Sequence, residues 1–358
     1  MRVQRVVAPV SGAVSWTVVD ESFEPVGPAE AYLAHLEAIE RSPNTVRAYA
    51  SSLKLWFEDL ARRSVAWDAV GLDDVGRFVD WLRSPADGVI VIDPGVSRRA
   101  ALTVNRHLAA VFGLYDFHAR RGVRVAAELV DWRRDGRGSY KPFLERVGGR
   151  SRWTPRRPVR LRPTRRLPET LTSEQVAALL AACEHVRDRF LIALLAETGM
   201  RIGQALGLRH ADVVSRERGV RIVPRDDNAN GARAKCRQET AIPVSASLVR
   251  LHSDYLFDEY GGVDSDYVFV NLFAPPVGRP LRYSAVSGLV ERLRVRTGID
   301  FYLHMLRHSA ASAMIRAGVP IEVVSKMLTH ANVATTSQIY VHLGVEDLRA
   351  ELTKAGVQ

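Results

Sequence analysis

Cysteine is almost absent from this 358-residue chain, which has two, Cys183 and Cys236. One falls in a helix-like stretch and the other in a polar turn, so no disulfide framework exists and the fold must rely on its own core. The chain has no Cys-x-x-Cys pair of the kind that holds zinc. No run reaches the roughly 18 apolar residues of a membrane span, and the N-terminus lacks a signal-peptide core, which points to the cytosol or the chromosome. Asp and Glu form no cluster at spacings suited to two Mg²⁺ ions, and the glycines do not fall into GxxxxGK[ST]. Neither two-metal chemistry nor ATP use is therefore suggested.

Positive charge, by contrast, is abundant. Lys and Arg number 50 against 40 Asp and Glu, a formal net of +10. Its distribution is more telling than its total. Between Arg133 and Arg166 lie thirteen basic residues and two acidic ones, Asp135 and Glu145, a local net of +11 that leaves the rest of the chain near neutral. This stretch mixes Arg with Gly, Pro, Tyr140 and Trp153, a composition suited to a linker lying along nucleic-acid phosphates. A solubilising, disordered linker has the same composition. The preference for Arg over Lys favours two-pronged phosphate contact.

Length and 47% hydrophobic composition point to two packed units joined by that segment. The first reads as four helices. SPNTVRAYASSLKLWFEDLA has Ser42 to cap it and Pro43 at its first position, with Val46, Tyr49, Leu53, Trp56 and Phe57 at helical spacing. AEAYLAHLEAIE, DDVGRFVDWLRS and the stretch from Arg99 to Arg121 flank it, and the apolar run at 89–94 reads as a short extended excursion. In the second unit, Thr172 and Gln175 form a capping box before an apolar helix that continues through RFLIALLAETG and stops at Gly199. GVRIVP and QETAIPV then read as strands around the polar turn DDNANGARAKCR, and helices resume at Ser245. The fold class is mainly α with a small antiparallel β-sheet (α+β). Residues 1–26 alternate weakly and read as a docking strand, a DNA-touching arm or a disordered tail.

Six residues in the second half suggest phosphodiester chemistry: Arg201, Lys235, His304, Arg307, His330 and Tyr340. Two guanidiniums can fork onto one phosphate and neutralise the charge that grows in its transition state. A tyrosine is a possible nucleophile once its phenol, with an ordinary pKa of about 10, has a proton acceptor or a strongly positive pocket. Each residue alone has an ordinary use. Arg201 suits a surface salt bridge, His304 and Arg307 share a helix face, His330 suits a helix end and Tyr340 a core. Their order and spacing separate the readings: RIG, a Lys seven positions before Ile242, His-x-x-Arg-His, Thr-His 23 residues on, and Tyr ten further.

On these motifs the chain resembles the tyrosine recombinases, or phage integrases, over roughly residues 28 to 345. The resemblance implies a helical core-binding domain plus a tyrosine-recombinase catalytic domain. It gives residues 1–26 as an N-terminal extension or arm, 27–130 as a SAM-like DNA-binding domain, 131–170 as an Arg-rich linker and 171–358 as the catalytic domain with its tail. Arg201 and Arg307 would clamp the phosphate, with His304 and His330 beside them. Tyr340 would attack to form a 3′-phosphotyrosyl link, and Lys235 would protonate the leaving 5′ oxygen. No metal or other cofactor is expected. Candidate DNA contacts are Thr45, Arg47, Arg133, Arg134, Lys141, Arg156, Arg157, Arg165 and Arg166. Two departures from the common pattern stand out: Gln204 in place of Glu, and Thr329 in place of Gly before His330. The first leaves open how Arg201 is held.

The expected partners are double-stranded DNA, three further copies in a homotetramer, and companion transposition proteins or a directionality factor, with no membrane. In such relatives the C-terminal segment packs on the next protomer, and GVEDLRAELTKAGVQ would do so here. ETGMRIGQALGLRHADV looks like the recombinase-type transposases of multi-gene transposons in Gram-positive bacteria. A type IB topoisomerase shares the site logic without synapsis, and a catalytically silent DNA-binding regulator would share the fold.

Overall fold

The computed structural model describes residues 1–7, 12, 14–85, 98–130, 132–134, 153–155, 158–163, 168–234, 236 and 238–329, with 132–134 and 153–155 as backbone alone. The chain divides into two compact units, Met1–Arg165 and Arg166–Gln358. Helices dominate both, with small antiparallel sheets. Among the described residues no helix is long and apolar enough to cross a membrane.

The first unit begins with a hairpin, β1 (Arg2–Val7) and β2 (Val14–Val19), paired antiparallel from Arg2↔Val19 to Val7↔Val14. Weak alternation becomes a real strand because β2 has something to cover: Val18 is fully buried in the helical core. Four helices follow: α1 (Gly27–Ala38), α2 (Pro43–Arg62), α3 (Leu72–Arg83) and α4 (Ala101–Arg120). Ser42 caps α2 as its sequence predicts, its Oγ accepting the Thr45 N–H at 3.2 Å. Trp56 sits at the centre with no exposed surface, edge-on to Phe78, and its Nε1 donates to the Tyr115 hydroxyl at 3.2 Å.

Polar pins set the helix registers. His118 Nε2 lies 2.9 Å from the Pro28 carbonyl and ties α4 to α1, while His107 Nδ1 lies 3.0 Å from Ser52 Oγ and ties α4 to α2. The buried Asp59 takes both Arg62 and Arg63, and Arg63 reaches on to Asp74 of α3. Part of the basic segment also belongs to this unit. Its backbone forms a short ladder, β3 (Trp132–Arg134) with β4 (Trp153–Pro155). Asn105 of α4 then holds Leu161 by two 2.9 Å bonds, one to its carbonyl and one from its N–H.

The second unit is built round a helix buried on every side. The Thr172–Gln175 capping box forms as expected, at 2.9 and 3.2 Å, and starts α5 (Ser173–Ala181). The expected continuation instead breaks, and α6 (Val186–Thr198) is a separate helix. The break is stabilised from afar: the Glu259 carboxylate accepts the N–H groups of Val186 and Arg187, both at 2.8 Å. Leu191, Ile192 and Leu194 have no exposed surface. After the short α7 (Ile202–Ala205) comes a three-stranded antiparallel sheet, β5 (Val213–Val214), β6 (Gly219–Ile222) and β7 (Thr240–Pro243), with Val220 opposite Ile242.

Helices α8 (Ala246–Tyr255), α9 (Tyr283–Thr297), α10 (Leu303–Arg316) and α11 (Ile321–Met327) complete the described part. The excursion at 89–94 and the segment after Thr329 lie outside the described residues.

Candidate functional site

The site grows from the end of α6. Gly199 takes φ +63°, the left-handed conformation that stops a helix with little strain only in glycine. A side chain there would also collide. A Cβ would stand 2.7 Å from Leu328 Cδ2 and 3.3 Å from Ala310 Cβ, so the missing atom lets α10 and the end of α11 close on the turn. The chain reverses into Arg201, the residue before α7, and its guanidinium points back across the same junction.

Arg307 comes to that junction from the second turn of α10. It is 3% exposed, and it donates to the Gly199 carbonyl at 2.6 Å and to the Leu328 carbonyl at 2.7 Å. Arg201 Nη1 reaches the next residue, donating to Thr329 Oγ1 at 3.1 Å. The two arginines thus converge on consecutive residues, the last two before His330 in the chain. Arg201 is half-buried, and no carboxylate among the described residues pairs with it. Burial lowers its pKa, yet a guanidinium keeps its proton across the physiological range. The result is a half-buried positive charge at a junction that Arg307 also reaches, an arrangement suited to an anion.

His304 lies one turn before Arg307. Its pKa is lowered first by partial burial of the ring, then by Arg307 and Arg201, so it stands neutral beside the arginines. Its ring meets His308 edge-on at 4.5 Å, and His308 is itself pushed down to about 4 by burial, then by His304 and Arg307. A neutral imidazole can donate one hydrogen bond and accept another, as a phosphate oxygen and an attacking hydroxyl require.

The polar turn between β6 and β7 is anchored beside this pair. A Cβ on Gly203 would stand 2.6 Å from the Arg233 carbonyl, so only glycine admits the turn so close to α7. Asn230 fixes the turn by donating to the Leu206 and Leu281 carbonyls, both at 2.9 Å. Arg233 and Ala234 on one side of Lys235, and Cys236 on the other, are placed; Cys236 lies near enough to Arg201 to act on its charge.

Of the six expected residues, Arg201, His304 and Arg307 are brought together, while Lys235, His330 and Tyr340 lie outside the described residues. Thr45 and Arg47 sit in the other unit. Thr45 Oγ1 lies 2.9 Å from Ser42 Oγ in the α2 cap, and the exposed Arg47 lies 4.7 Å from the Trp16 ring. Arg133 and Arg134 fall on β3, and Lys141, Arg156, Arg157, Arg165 and Arg166 are outside the described residues. Sequence reading missed the partnership of Gln204 and Thr329, which meet at 2.8 Å; nothing local signals a contact across 125 positions.

A helical unit followed by a mixed unit with two arginines brought to one helix junction defines a protein built to hold a phosphate at that junction. Residues 169–346 match the phage integrase family, and residues 29–122 match its N-terminal SAM-like domain. Transposase A from transposon Tn554 of Staphylococcus aureus is 35% identical over 99% of this chain and 98% of its own length. Tyrosine recombinase XerD of Mycobacterium tuberculosis strain H37Rv is 29% identical over 89% of this chain and 94% of its own. The Tn1549 transposon integrase, solved with transposon right-end DNA, shares the fold with a TM-score of 0.62 at 16% identity, over 91% of this chain and 98% of that one. The chain belongs to the phage integrase family and is a tyrosine-type site-specific DNA recombinase, an enzyme class that works through a phosphotyrosyl intermediate.

Proposed function

We propose that this chain is a transposase-type recombinase that cuts and rejoins DNA at the ends of a mobile element. Tyr340 Oη passes its proton to the neutral His304 imidazole and attacks the scissile phosphorus, a 3′-phosphotyrosyl bond forms, and the bond to the 5′ oxygen breaks. Lys235 gives that oxygen its proton, and the resulting 5′-hydroxyl of a partner strand later attacks the link and releases the tyrosine. Arg201 and Arg307 neutralise charge on the non-bridging oxygens, with His304 and His330 alongside. Because the phosphotyrosine conserves the bond energy, rejoining needs no nucleotide.

One observation carries this reading. The half-buried Arg201, with no carboxylate partner among the described residues, converges with Arg307 on the residues that lead into His330. The Tn554 relationship, which runs the length of the chain, favours a transposon end over a phage or chromosomal site. The substrate is double-stranded DNA, gripped by the first unit through Thr45 and Arg47 and by the basic segment through Arg133, Arg134, Lys141, Arg156, Arg157, Arg165 and Arg166. Strand exchange proceeds in a homotetramer with companion proteins of the same element, in the cytoplasm at the nucleoid.

Covalent trapping tests the chemistry. The protein is incubated with a nicked suicide substrate carrying the element ends, without added metal, and run on a denaturing gel. A protein–DNA adduct is expected for the natural chain and none for Tyr340→Phe. An adduct in both would overturn the assignment, as would an adduct in neither when true element ends and the element's companion proteins are both present.

A further inference from the structure

The two positions that depart from the family's common pattern, Gln204 and Thr329, touch each other and Arg201. Gln204 Nε2 donates to Thr329 Oγ1 at 2.8 Å, Arg201 Nη1 donates to the same oxygen at 3.1 Å, and Gln204 Oε1 accepts the Arg201 backbone N–H at 2.7 Å. Gln204, Thr329 and Arg201, the last through both its guanidinium and its backbone N–H, close a ring. Its polarity is fixed by chemistry, since an amide NH₂ and a guanidinium can only donate, so the hydroxyl oxygen must accept from both. Gln204 is 2% exposed, which makes its amide a rigid support.

The backbone shows that the hydroxyl matters. Thr329 sits at φ +52°, a region that β-branched residues rarely occupy and that a glycine would enter freely. The chain accepts that strain and gains a side-chain oxygen on Arg201. A carboxylate at position 204 could orient the guanidinium too, but it would cancel part of the charge the phosphate needs. The ring of Gln204 and Thr329 is neutral.

We propose that Thr329 and Gln204 are positioning residues for strand cleavage, forming a neutral latch that aims the Arg201 guanidinium at the scissile phosphate while leaving its charge uncancelled. This rests on the reading of Arg201 as a phosphate clamp, so the test separates the two. Single-turnover adduct formation on the suicide substrate is measured for the full chain and for Thr329→Ser, Thr329→Val, Thr329→Gly, the double variant Thr329→Gly with Gln204→Glu, and Arg201→Ala. DNA affinity and Tm are followed in parallel.

Thr329→Ser keeps the oxygen and should cleave within about twofold of the natural chain, whereas Val and Gly lose a hydrogen bond to a charged group and should cleave about tenfold more slowly. Their DNA affinity should change by less than about twofold, because the latch acts on orientation. Thr329→Gly should keep or raise Tm, since it relieves the left-handed strain. The double variant should recover part of the rate, as the carboxylate takes the place of Nε2 and can close directly on Arg201 once the hydroxyl is gone, while the charge it cancels keeps it below the natural chain.

Wild-type cleavage by Thr329→Gly would overturn the latch, as would a double variant no faster than Thr329→Gly alone. A rate loss in Thr329→Val that follows its Tm, with Thr329→Gly unimpaired, would show a purely structural role and overturn it too. If Arg201→Ala cleaves at the natural rate, the clamp reading falls and the latch with it. If Arg201→Ala is inactive while the threonine variants are normal, only the latch falls.

Discussion

At the scale of single residues, the site draws two cations to one helix junction. Arg307 donates to two carbonyls there and Arg201 to a hydroxyl, and among the described residues no carboxylate pairs with Arg201. The same unit buries a histidine that must stay neutral. His252 is 5% exposed, its Nε2 has no hydrogen-bond partner among the described residues, and burial, then His210, push its pKa down to about 4. In the unfolded chain the ring titrates near 6.5, roughly. Between those values the unfolded state binds a proton that the folded state refuses, so stability is complete above about 6.5 and falls as pH drops toward 4. At about 1.4 kcal/mol for each pH unit that separates the two values, the cost is on the order of 3 kcal/mol. Urea unfolding from pH 7 to 4.5 should show this loss, with a shallower slope for His252→Phe; an unchanged slope would assign the acid sensitivity elsewhere. Arg201, His304 and Arg307 were legible because spacing alone marks them. The group that holds Arg201 was not legible, because Gln204 and Thr329 become neighbours only when α6, α7 and α11 pack.

At the scale of elements, caps decide which boundaries can be read from sequence. Ser42, Thr172 and Gly199 act on residues within four positions, and each sits where its local pattern predicts. The break before α6 was missed because its capping carboxylate, Glu259, arrives from 73 residues away. The β1–β2 hairpin was ambiguous for a related reason, as its alternation gains force only against the helices it covers. One close approach in the site is also between elements, where Arg233, two residues before Lys235, passes over Gly203. Gly203→Ala inserts a methyl 2.6 Å from the Arg233 carbonyl, so the turn must lift from α7. On the proposed role of Lys235 as general acid, displacing it costs on the order of 10²-fold or more, and cleavage should fall in that range with little change in DNA affinity. DNA with sulfur in place of the scissile 5′ oxygen offers a leaving group that needs no proton, and on it the variant should cleave nearly as fast as the natural chain. A defect of equal size on both substrates would place the damage at Arg201 instead.

At the scale of the whole molecule, the charge map separates grip from chemistry. Residues 167–358 hold 22 Lys and Arg spread over 192 positions, whereas the segment from Arg133 to Arg166 packs 13 into 34, a net +11 against +10 for the entire chain. Its parts that belong to the first unit are pinned: β3 and β4 form a ladder, and Asn105 holds Leu161 with the exposed Arg160 and Arg162 on either side. Such a density of arginine binds DNA by releasing counterions, and each phosphate neutralised adds roughly 0.9 to the slope of log affinity against log salt. DNA affinity should therefore fall by at least about tenfold between about 50 and 200 mM salt, on any sequence. Replacing Arg156, Arg157, Arg165 and Arg166 by Ala should weaken binding uniformly and flatten that slope by up to about 0.9 for each phosphate no longer neutralised. Preference for the element ends over unrelated DNA should survive, because phosphate contacts carry little sequence information. If the four substitutions instead abolished that preference while the salt slope stayed the same, the segment would be reading bases, and its role as a sequence-blind grip on phosphates would fall.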